Sequence, residues 1–366
     1  MTAFILSACR SPVAPRGGAL AKLALHELAA PVISQALNLA GLPTDVVDEV
    51  ILSNALGMGG NPARIAALAA GLPTRVAGLS IDRQCAGGLD AVLLAQQMVE
   101  SGAADVVVAG GAESYSRRPL RLQTFADGRA PEPYDQAPFT PWPDRDPDMA
   151  EAAADLAEAL GISRQTQDDW VITSHERALA TQFNRAEMVP LLALDRDPFA
   201  RRMTARLCVR APVVTGCITA ANAAVAADGA AFCVVVSEKI AARFSSFKVK
   251  ILAGATLGGD PTVPGLAPVA AIKAALEKAE RSVDALDAAE IMEAYAVQAI
   301  ACVRLAGLDP TIINRGGGAL ARGHPIGASG AINAVRLFHT LSQTGGTGLA
   351  AIAAAGGIGS AVILGA

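Results

Sequence analysis

Two residues of this sequence have the chemistry of a nucleophile and its base, Cys85 and His324. Cys85 lies in DRQCAGGLDAV, directly before the first turn of a predicted helix. Backbone N–H groups and the helix dipole stabilise a thiolate there, so we expect a pKa below the ordinary value of about 8.5. Ala86, Gly87 and Gly88 leave room for a substrate beside the sulfur. The alternative, which this segment alone leaves open, is a buried structural cysteine.

His324 lies in the glycine-rich run GGGALARGHPIGASG. Glycines let the backbone adopt positive φ or approach a ligand closely, and Pro325 fixes the chain direction directly after the histidine. An imidazole in this position can accept a thiol proton and then donate a hydrogen bond to a developing oxyanion. The alternative is a phosphate-binding loop, but the run lacks the GKS or GKT of a P-loop.

The elements around these two residues alternate between strands and helices. Apolar runs rich in Val and Ile occupy residues 3–8, 49–52, 105–109 and 230–236, and Ala-rich helical patterns occupy 22–39 and 89–100. Continuous apolar strands between amphipathic helices are typical of sheets that are covered on both faces. The pattern therefore predicts an α/β fold with helices as layers.

Two segments share one order of features. One segment begins at Cys85 and the other at His324. In each, the reactive residue is followed by a Gly-rich turn, an apolar helix, an apolar strand and a Gly-Gly pair. This order indicates an internal duplication. Packed about a pseudo-twofold axis, the two halves would set Cys85 and His324 at equivalent helix entrances that face each other. A likeness of Ala-rich composition alone is the alternative.

A different kind of segment interrupts the first half. Residues 116–150 contain seven prolines and no sustained periodicity, which predicts a long irregular connection. Helices are predicted over 149–160 and 164–182, the second with Ser163 as its N-cap. We therefore expect three domains: residues 1–115 with 213–245, an inserted loop domain at 116–212, and residues 246–366. The loop aromatics, including Phe139, are expected to anchor the loop rather than to line an acyl pocket.

Composition excludes several classes of protein. The 366 residues are 52% hydrophobic and 17% charged, which excludes disorder, and a net charge of −4 with 4% aromatic residues argues against a nucleic-acid partner. The sequence has no apolar run of about 18 residues and no basic start of a signal peptide, so we expect a cytoplasmic protein without a membrane partner. The six cysteines form no CxxC pair, so neither a bound metal nor a disulfide framework is expected.

Four motifs in order along the chain resemble the thiolase superfamily. They are SACRSPVAPRGGAL, CAGG at Cys85, GHPIGASGA at His324 and AAGGIGSAVI. The resemblance implies a five-layered α/β/α/β/α fold of two duplicated halves, a homodimer or a tetramer, and acyl transfer from a coenzyme A thioester that binds as substrate. It also implies that Cys85 is the acylated nucleophile, that His324 activates it, and that the backbone N–H groups of Cys85 and Ala355 form an oxyanion hole.

The sequence departs from the family pattern at three functional positions. Ala353 stands where CxGGGxG has its second cysteine, which moves protons in the second half-reaction. Met292 replaces the asparagine of Asn-Glu-Ala-Phe, whose role is to hold an oxyanion-hole water, and Ala224 replaces the serine of Asn-Ala-Ser-Gly, which contacts pantetheine. Loss of a base and an oxyanion donor would suppress thiolysis or Claisen condensation by roughly five orders of magnitude.

The resemblance also implies where the nucleotide of coenzyme A would bind. Cationic side chains flank the return from the loop domain: Arg201, Arg202, Arg206, Arg210, Lys248 and Lys250. A solvated charged face is the alternative interpretation of this set.

These observations leave two hypotheses. The first is an acyltransferase that loads Cys85 from a coenzyme A or carrier-protein thioester and passes the acyl group to an already activated acceptor. The second is a catalytically silent or heteromeric subunit that acts with a partner, for example a small OB-fold protein. Retention of both Cys85 and His324 favours the first. The acyl length, the acceptor, and the choice between dimer and tetramer stay open.

Overall fold

The structure is a computed structural model that describes residues 2–57, 59–181 and 186–366. The strands are β1 (Ala3–Arg10), β2 (Ala14–Pro15), β3 (Glu49–Ser53), β4 (Leu79–Ile81), β5 (Val106–Ser114), β6 (Arg121–Gln123), β7 (Glu132–Tyr134), β8 (Val213–Thr215), β9 (Ile218–Thr219), β10 (Ala227–Ser237), β11 (Val249–Gly258), β12 (Ala288–Ile291), β13 (Thr347–Ala354) and β14 (Ile358–Gly365). The helices are α1 (Leu25–Ala40), α2 (Pro62–Ala69), α3 (Gly87–Glu100), α4 (Met149–Ala159), α5 (Arg164–Ala180), α6 (Ala205–Val209), α7 (Glu238–Ala241), α8 (Ala267–Lys278), α9 (Ala296–Ala306), α10 (Ala319–Arg322) and α11 (Ile326–Thr344).

The main sheet repeats one strand order in its two halves. The order is β12-β13-β14-β11-β1-β10-β5-β3-β4, with β2 paired to β10. In the first half β3 and β5 are parallel, and β5, β10 and β1 are successively antiparallel. In the second half β12 and β13 are parallel, and β13, β14 and β11 are successively antiparallel. The predicted duplication is confirmed, and the halves join where Phe4 and Ile5 of β1 pair with β11.

The helices form three layers around this sheet. The two helices that follow Cys85 and His324, α3 and α11, pack on each other and on strands of both halves. Their apolar side chains share one buried cluster with residues of β5, β10 and β13. A second cluster lies under α1 and α2, and a third lies under α8 and α9. With the two halves of the main sheet as separate layers between these three helix layers, the five-layered α/β/α/β/α architecture is confirmed.

The loop domain is more ordered than its prolines predict. Within the 116–150 segment β6 and β7 form a hairpin, in which Arg121 pairs with Tyr134. A two-stranded ribbon has only edge strands, so it tolerates Pro133. Ser163 caps α5 as predicted, by accepting a hydrogen bond from Thr166 N at 3.1 Å. Gln182, the predicted last residue of that helix, lies outside the described residues.

The chain returns to the main sheet later than the sequence predicts. The strands β8 and β9, from Val213 onward, pair only with each other and pack against α4. The main sheet resumes at Ala227, where β10 begins. In the described ranges, no helix combines the length and apolar character needed to cross a bilayer.

Candidate active site

A strained turn presents Cys85 at the entrance of α3. Gln84 has a φ of +50°, a left-handed conformation that is unusual for a residue with a side chain. Asp82 holds the turn, because its carboxylate accepts hydrogen bonds from Gln84 N at 2.8 Å and from the Gln84 side-chain amide at 3.1 Å. Backbone strain of this kind is characteristic of functional turns. Cys85 follows in the short turn Gln84–Ala86, which leads directly into α3.

His324 reaches Cys85 from the equivalent entrance in the second half, just before α11. The distance between His324 Nε2 and Cys85 Sγ is 3.1 Å. The backbone N–H of His324 donates to Val225 O at 2.8 Å, which fixes the loop that carries the ring. The structure thus brings together two residues that are 239 positions apart in the chain.

A serine sets the tautomer of this histidine. His324 Nδ1 lies 2.6 Å from Ser329 Oγ, and Ser329 Oγ donates its own proton to Pro325 O at 3.0 Å. A hydroxyl has one proton, so Ser329 accepts from Nδ1, which must carry the hydrogen. Nε2 therefore presents a lone pair to Cys85. This is the form of imidazole that can accept the thiol proton.

The electrostatics correct one prediction from the sequence. Burial raises the pKa of Cys85 to about 12, and the carboxyl groups of Glu113 and Asp82 act in the same direction. The backbone N–H groups of Cys85 and Ala355 favour the thiolate but do not compensate for the loss of solvent. The predicted fall in pKa is therefore wrong, because desolvation outweighs the helix entrance.

His324 is neutral for a related reason. Burial lowers its pKa to about 4, and the charge of Arg322 lowers it further. The resting pair is therefore a neutral thiol and a neutral imidazole. A thiolate forms only when the proton moves from Cys85 to His324, so charge develops during reaction rather than before it.

The two backbone donors predicted for an oxyanion hole lie together at the sulfur. The N–H groups of Cys85 and Ala355 both act on Cys85 Sγ to lower the pKa of the thiol, and both residues line the same cavity. A carbonyl carbon attacked by the sulfur would place its oxygen close to the same two groups. Such paired N–H donors are the usual arrangement for stabilising a tetrahedral oxyanion.

A cavity of about 320 Å³ opens beside the sulfur. Ala353 and Ala224, two of the three positions that depart from the family motifs, line this cavity. Their methyl groups stand where the motifs have the thiol of a cysteine and the hydroxyl of a serine. Met292 does not line it, since this side chain is only 1% exposed and packs in the central apolar cluster. Phe139 does line the cavity. The expectation that the loop aromatics serve only as anchors is therefore wrong for Phe139.

Glu293, the residue after Met292, faces away from the cavity. Its carboxylate accepts hydrogen bonds from Trp170 Nε1 at 3.0 Å, Ser174 Oγ at 2.8 Å and Asn314 Nδ2 at 2.9 Å. Leu320 N also donates to it at 3.2 Å. These contacts tie α5 of the loop domain to α10, which shortly precedes His324. The role of Glu293 is structural.

The cationic residues proposed for the nucleotide do not line the cavity. The arginines of the set are exposed side chains of the return from the loop domain: Arg201, Arg202, Arg206 and Arg210. Lys248 lies at the opposite end of β11 from Gly258, which pairs with Ile358 next to the site. Ten residues of strand span about 30 Å, so Lys248 and Lys250 lie far from the sulfur, and their assignment to the nucleotide stays a prediction.

Sequence reasoning missed several residues that the site uses. Glu113, at the buried end of β5, accepts hydrogen bonds from Ala55 N at 3.1 Å and Gly327 N at 3.0 Å. Burial raises its pKa to about 7. A charged residue at the end of the apolar run VVVAGGAES was the available signal. Arg121, one of the cationic residues at the start of the proline-rich loop, also lines the cavity and donates to Leu56 O at 3.3 Å.

The fold and this site together define a two-half α/β protein with a Cys–His pair at its seam. Residues 3–239 match the family model of the thiolase N-terminal domain, and residues 245–366 match that of the thiolase C-terminal domain. The chain belongs to the thiolase family.

Named relatives align along nearly their whole length. The Bacillus subtilis (strain 168) protein "Putative acetyl-CoA C-acetyltransferase YhfS" is 39% identical over 375 residues, with 99% of each chain covered. A Staphylococcus aureus (strain COL) protein named "Probable acetyl-CoA acyltransferase" is 34% identical, with 100% of this chain and 99% of that one covered. The crystal structure of the Bacillus anthracis acetyl-CoA acetyltransferase superposes with a TM-score of 0.91 at 33% identity, covering 100% of this chain and 98% of that one.

Proposed function

We propose that the protein is an acyltransferase that takes an acyl group from a coenzyme A or carrier-protein thioester onto Cys85 and passes it to an acceptor. The observation that carries the proposal is the 3.1 Å contact between Cys85 Sγ and a His324 Nε2 whose tautomer is set by Ser329. Similarity to acetyl-CoA acetyltransferases supports the class of donor. A purely structural cysteine would not need a buried, oriented base.

The first half-reaction needs only groups that surround the sulfur. The proton of Cys85 moves to His324 Nε2 as the sulfur attacks the thioester carbon. The backbone N–H groups of Cys85 and Ala355 would hold the resulting oxyanion. When the carbonyl re-forms, the bond to the departing thiol breaks, and the imidazolium returns its proton to that thiolate. The product is an S-acyl Cys85 and a free thiol.

The second half-reaction must proceed without the second cysteine of the family motif, because residue 353 is an alanine. A methyl group cannot transfer a proton, so His324 is the base available at the sulfur for the acceptor. We therefore propose an acceptor that is already nucleophilic or readily deprotonated. Ordinary thiolysis and condensation of two acetyl groups should be slow by comparison. The assembly proposed from family likeness is a homodimer or a tetramer in the cytoplasm.

The second candidate is a catalytically silent or heteromeric subunit. The residues Met292, Ala353 and Ala224 favour this candidate, because each replaces a polar residue of the family motifs with an apolar one. In that case the chain would act with a partner such as a small OB-fold protein. It would need no proton transfer between Cys85 and His324, so it predicts no covalent chemistry at Cys85.

The deciding experiment is intact-protein mass spectrometry after incubation with acetyl-CoA and with longer acyl-CoAs. We expect one acyl adduct that Cys85→Ala abolishes and Cys217→Ala retains, since Cys217 is a half-buried thiol outside the cavity. Without Cys85-dependent adducts from any coenzyme A or carrier-protein thioester, the acyltransferase proposal fails and the silent subunit is favoured.

A further inference from the structure

One wall of the cavity carries the side chain of Tyr295. The other tyrosine of the cavity, Tyr115, packs its ring against Arg16 and Arg118. Tyr295 is the N-cap of α9, and its backbone forms a bridge with Ala223, which precedes the cavity residue Ala224. Tyr295 lines the cavity together with Cys85 and His324. Its neighbours in this wall are small and apolar, among them Ala294 and Ala353.

The Tyr295 hydroxyl is available to a ligand. Among residues 2–57, 59–181 and 186–366, no group makes a hydrogen bond with it. Burial raises the pKa of Tyr295 to about 12, and the charges of Asp148 and Cys85 act in the same direction, so the phenol stays protonated. The hydroxyl is not fully buried, so it keeps access to the cavity, where a substrate oxygen can accept a hydrogen bond from it.

Several other polar side chains of the cavity have hydrogen-bond partners within the chain. The Gln84 amide is bound to Asp82, and Gln298 accepts a hydrogen bond from Ala294 N at 3.3 Å while its amide faces Cys302. Arg121 donates to Leu56 O at 3.3 Å. Once Cys85 is acylated, its own backbone N–H and that of Ala355 serve the acyl oxygen. Tyr295 is then a donor without an assigned acceptor.

We propose that Tyr295 is a catalytic residue that donates a hydrogen bond to the enolate oxygen of the acceptor. A neutral phenol in an apolar site is a suitable donor to an enolate oxygen. The proposal deepens the proposed function and rests on it. It assigns to this side chain a role that His324 and the backbone donors do not fill.

The step balances in protons and bonds. His324 Nε2, neutral after the first product has left with its proton, accepts a proton from the acceptor Cα. The enolate carbon attacks the acyl carbonyl of Cys85, a carbon–carbon bond forms, and the bond between that carbonyl and Cys85 Sγ breaks. The imidazolium then protonates the cysteine sulfur. Tyr295 keeps its proton throughout and stabilises the enolate oxygen while that charge exists.

Enolate formation can be measured without turnover. In a Cys85→Ala background no acyl enzyme forms, so acetoacetyl-CoA serves as a bound enolisable probe whose enolate absorbs in the near ultraviolet. We expect the bound enolate fraction to exceed that in free solution, and to fall about tenfold or more in Tyr295→Phe, as for the loss of one oxyanion donor. The matched control is Tyr134→Phe, a tyrosine outside the cavity, which should leave the band unchanged.

The outcomes separate this inference from the proposed function. An unchanged band in Tyr295→Phe, an equal loss in Tyr134→Phe, or no binding of acetoacetyl-CoA overturns the role of Tyr295. None of these outcomes affects acyl loading of Cys85, which is tested by mass in the chain with its cysteine. Conversely, if Cys85 is not acylated, the proposed function is wrong. The absorbance of bound acetoacetyl-CoA would still report whether Tyr295 stabilises an enolate.

Discussion

Ser329 Oγ accepts a hydrogen bond from His324 Nδ1 at 2.6 Å and donates one to Pro325 O at 3.0 Å. His324 lies just before α11 and Ser329 lies in its first turn, so the start of the helix itself orients the imidazole. The ring presents a lone pair to Cys85 because Ser329 has no second proton to give.

Ser329→Ala should therefore slow the reaction of Cys85. Without the serine, the ring can turn or adopt the other tautomer, so we expect the rate of Cys85 alkylation by iodoacetamide at pH 7 to fall about tenfold, part of the 10²–10⁴-fold that a positioned base supplies. Ser342→Ala is the control, because Ser342 donates only to His339 O on the same helix. Equal rates in the two variants would contradict a role for Ser329 in orienting the base.

The rate of Cys85 acylation should depend on pH differently from the rate of a cysteine whose resting form is a thiolate. The pKa of His324 is about 4, so the base is present above about pH 5 and is lost as pH falls through 4. The pKa of Cys85 is about 12, so its thiol stays protonated across neutral pH. Single-turnover acylation, followed by mass, should be nearly constant from about pH 5 to 9.

His324→Gln provides the contrast for this profile. Without the base, reaction would depend on the small thiolate fraction, which rises tenfold with each pH unit below the thiol pKa. We expect its acylation rate to climb steadily with pH and to remain below that of the unmodified chain. A wild-type rate that rises with a midpoint near 6.5 would mean that the histidine titrates at its ordinary pKa.

A buried ion network beneath the site makes the fold sensitive to acid. Glu187 lies 2.9 Å from Arg10 Nε and 2.7 Å from Arg336 Nη1. Burial acts to raise the pKa of Glu187, but Arg336 and Arg10 outweigh it and lower the pKa to about 2. Its unfolded value is about 4.5. This carboxylate therefore contributes stability above pH 4.5, and that stability is lost as pH falls toward 2.

Glu187→Gln should remove this contribution, while Arg10 keeps its ion pair with Asp197 at 2.9 Å. We expect a loss of about 1.5–3 kcal/mol in the free energy of unfolding at pH 7, measured by urea denaturation, and a shallower decline between pH 4.5 and 2. Glu176→Gln, at an exposed position of α5, is the control and should change stability by less than about 0.5 kcal/mol. Equal stabilities of the two variants would contradict the network's contribution.

Much of the architecture and the central pair could be predicted from the sequence. Apolar periodicity gave the alternation of strands and helices, and two similar segments placed Cys85 and His324 at matching helix entrances. The pKa of Cys85 could not be predicted, because it depends on burial and on Glu113, a residue from another strand. The distance of Lys248 from the cavity could not be predicted, because nearness along the chain does not show which end of a strand faces the site.

Ala353→Cys tests whether one missing thiol explains the expected lack of thiolysis. Ala353 pairs with Gly359 on β14 and lines the cavity, so a sulfur on its Cβ would enter the space beside Cys85. We expect thiolysis of acetoacetyl-CoA by free coenzyme A to rise at least about 100-fold over the parent, the low end of what a positioned proton-transfer group supplies. Ala242→Cys is the control for an added thiol, because Ala242 is exposed and does not line the cavity. If Cys85 of the Ala353→Cys variant still acylates but thiolysis does not rise, the block lies elsewhere. Met292 is then the next candidate, since its side chain cannot hold a water at the oxyanion.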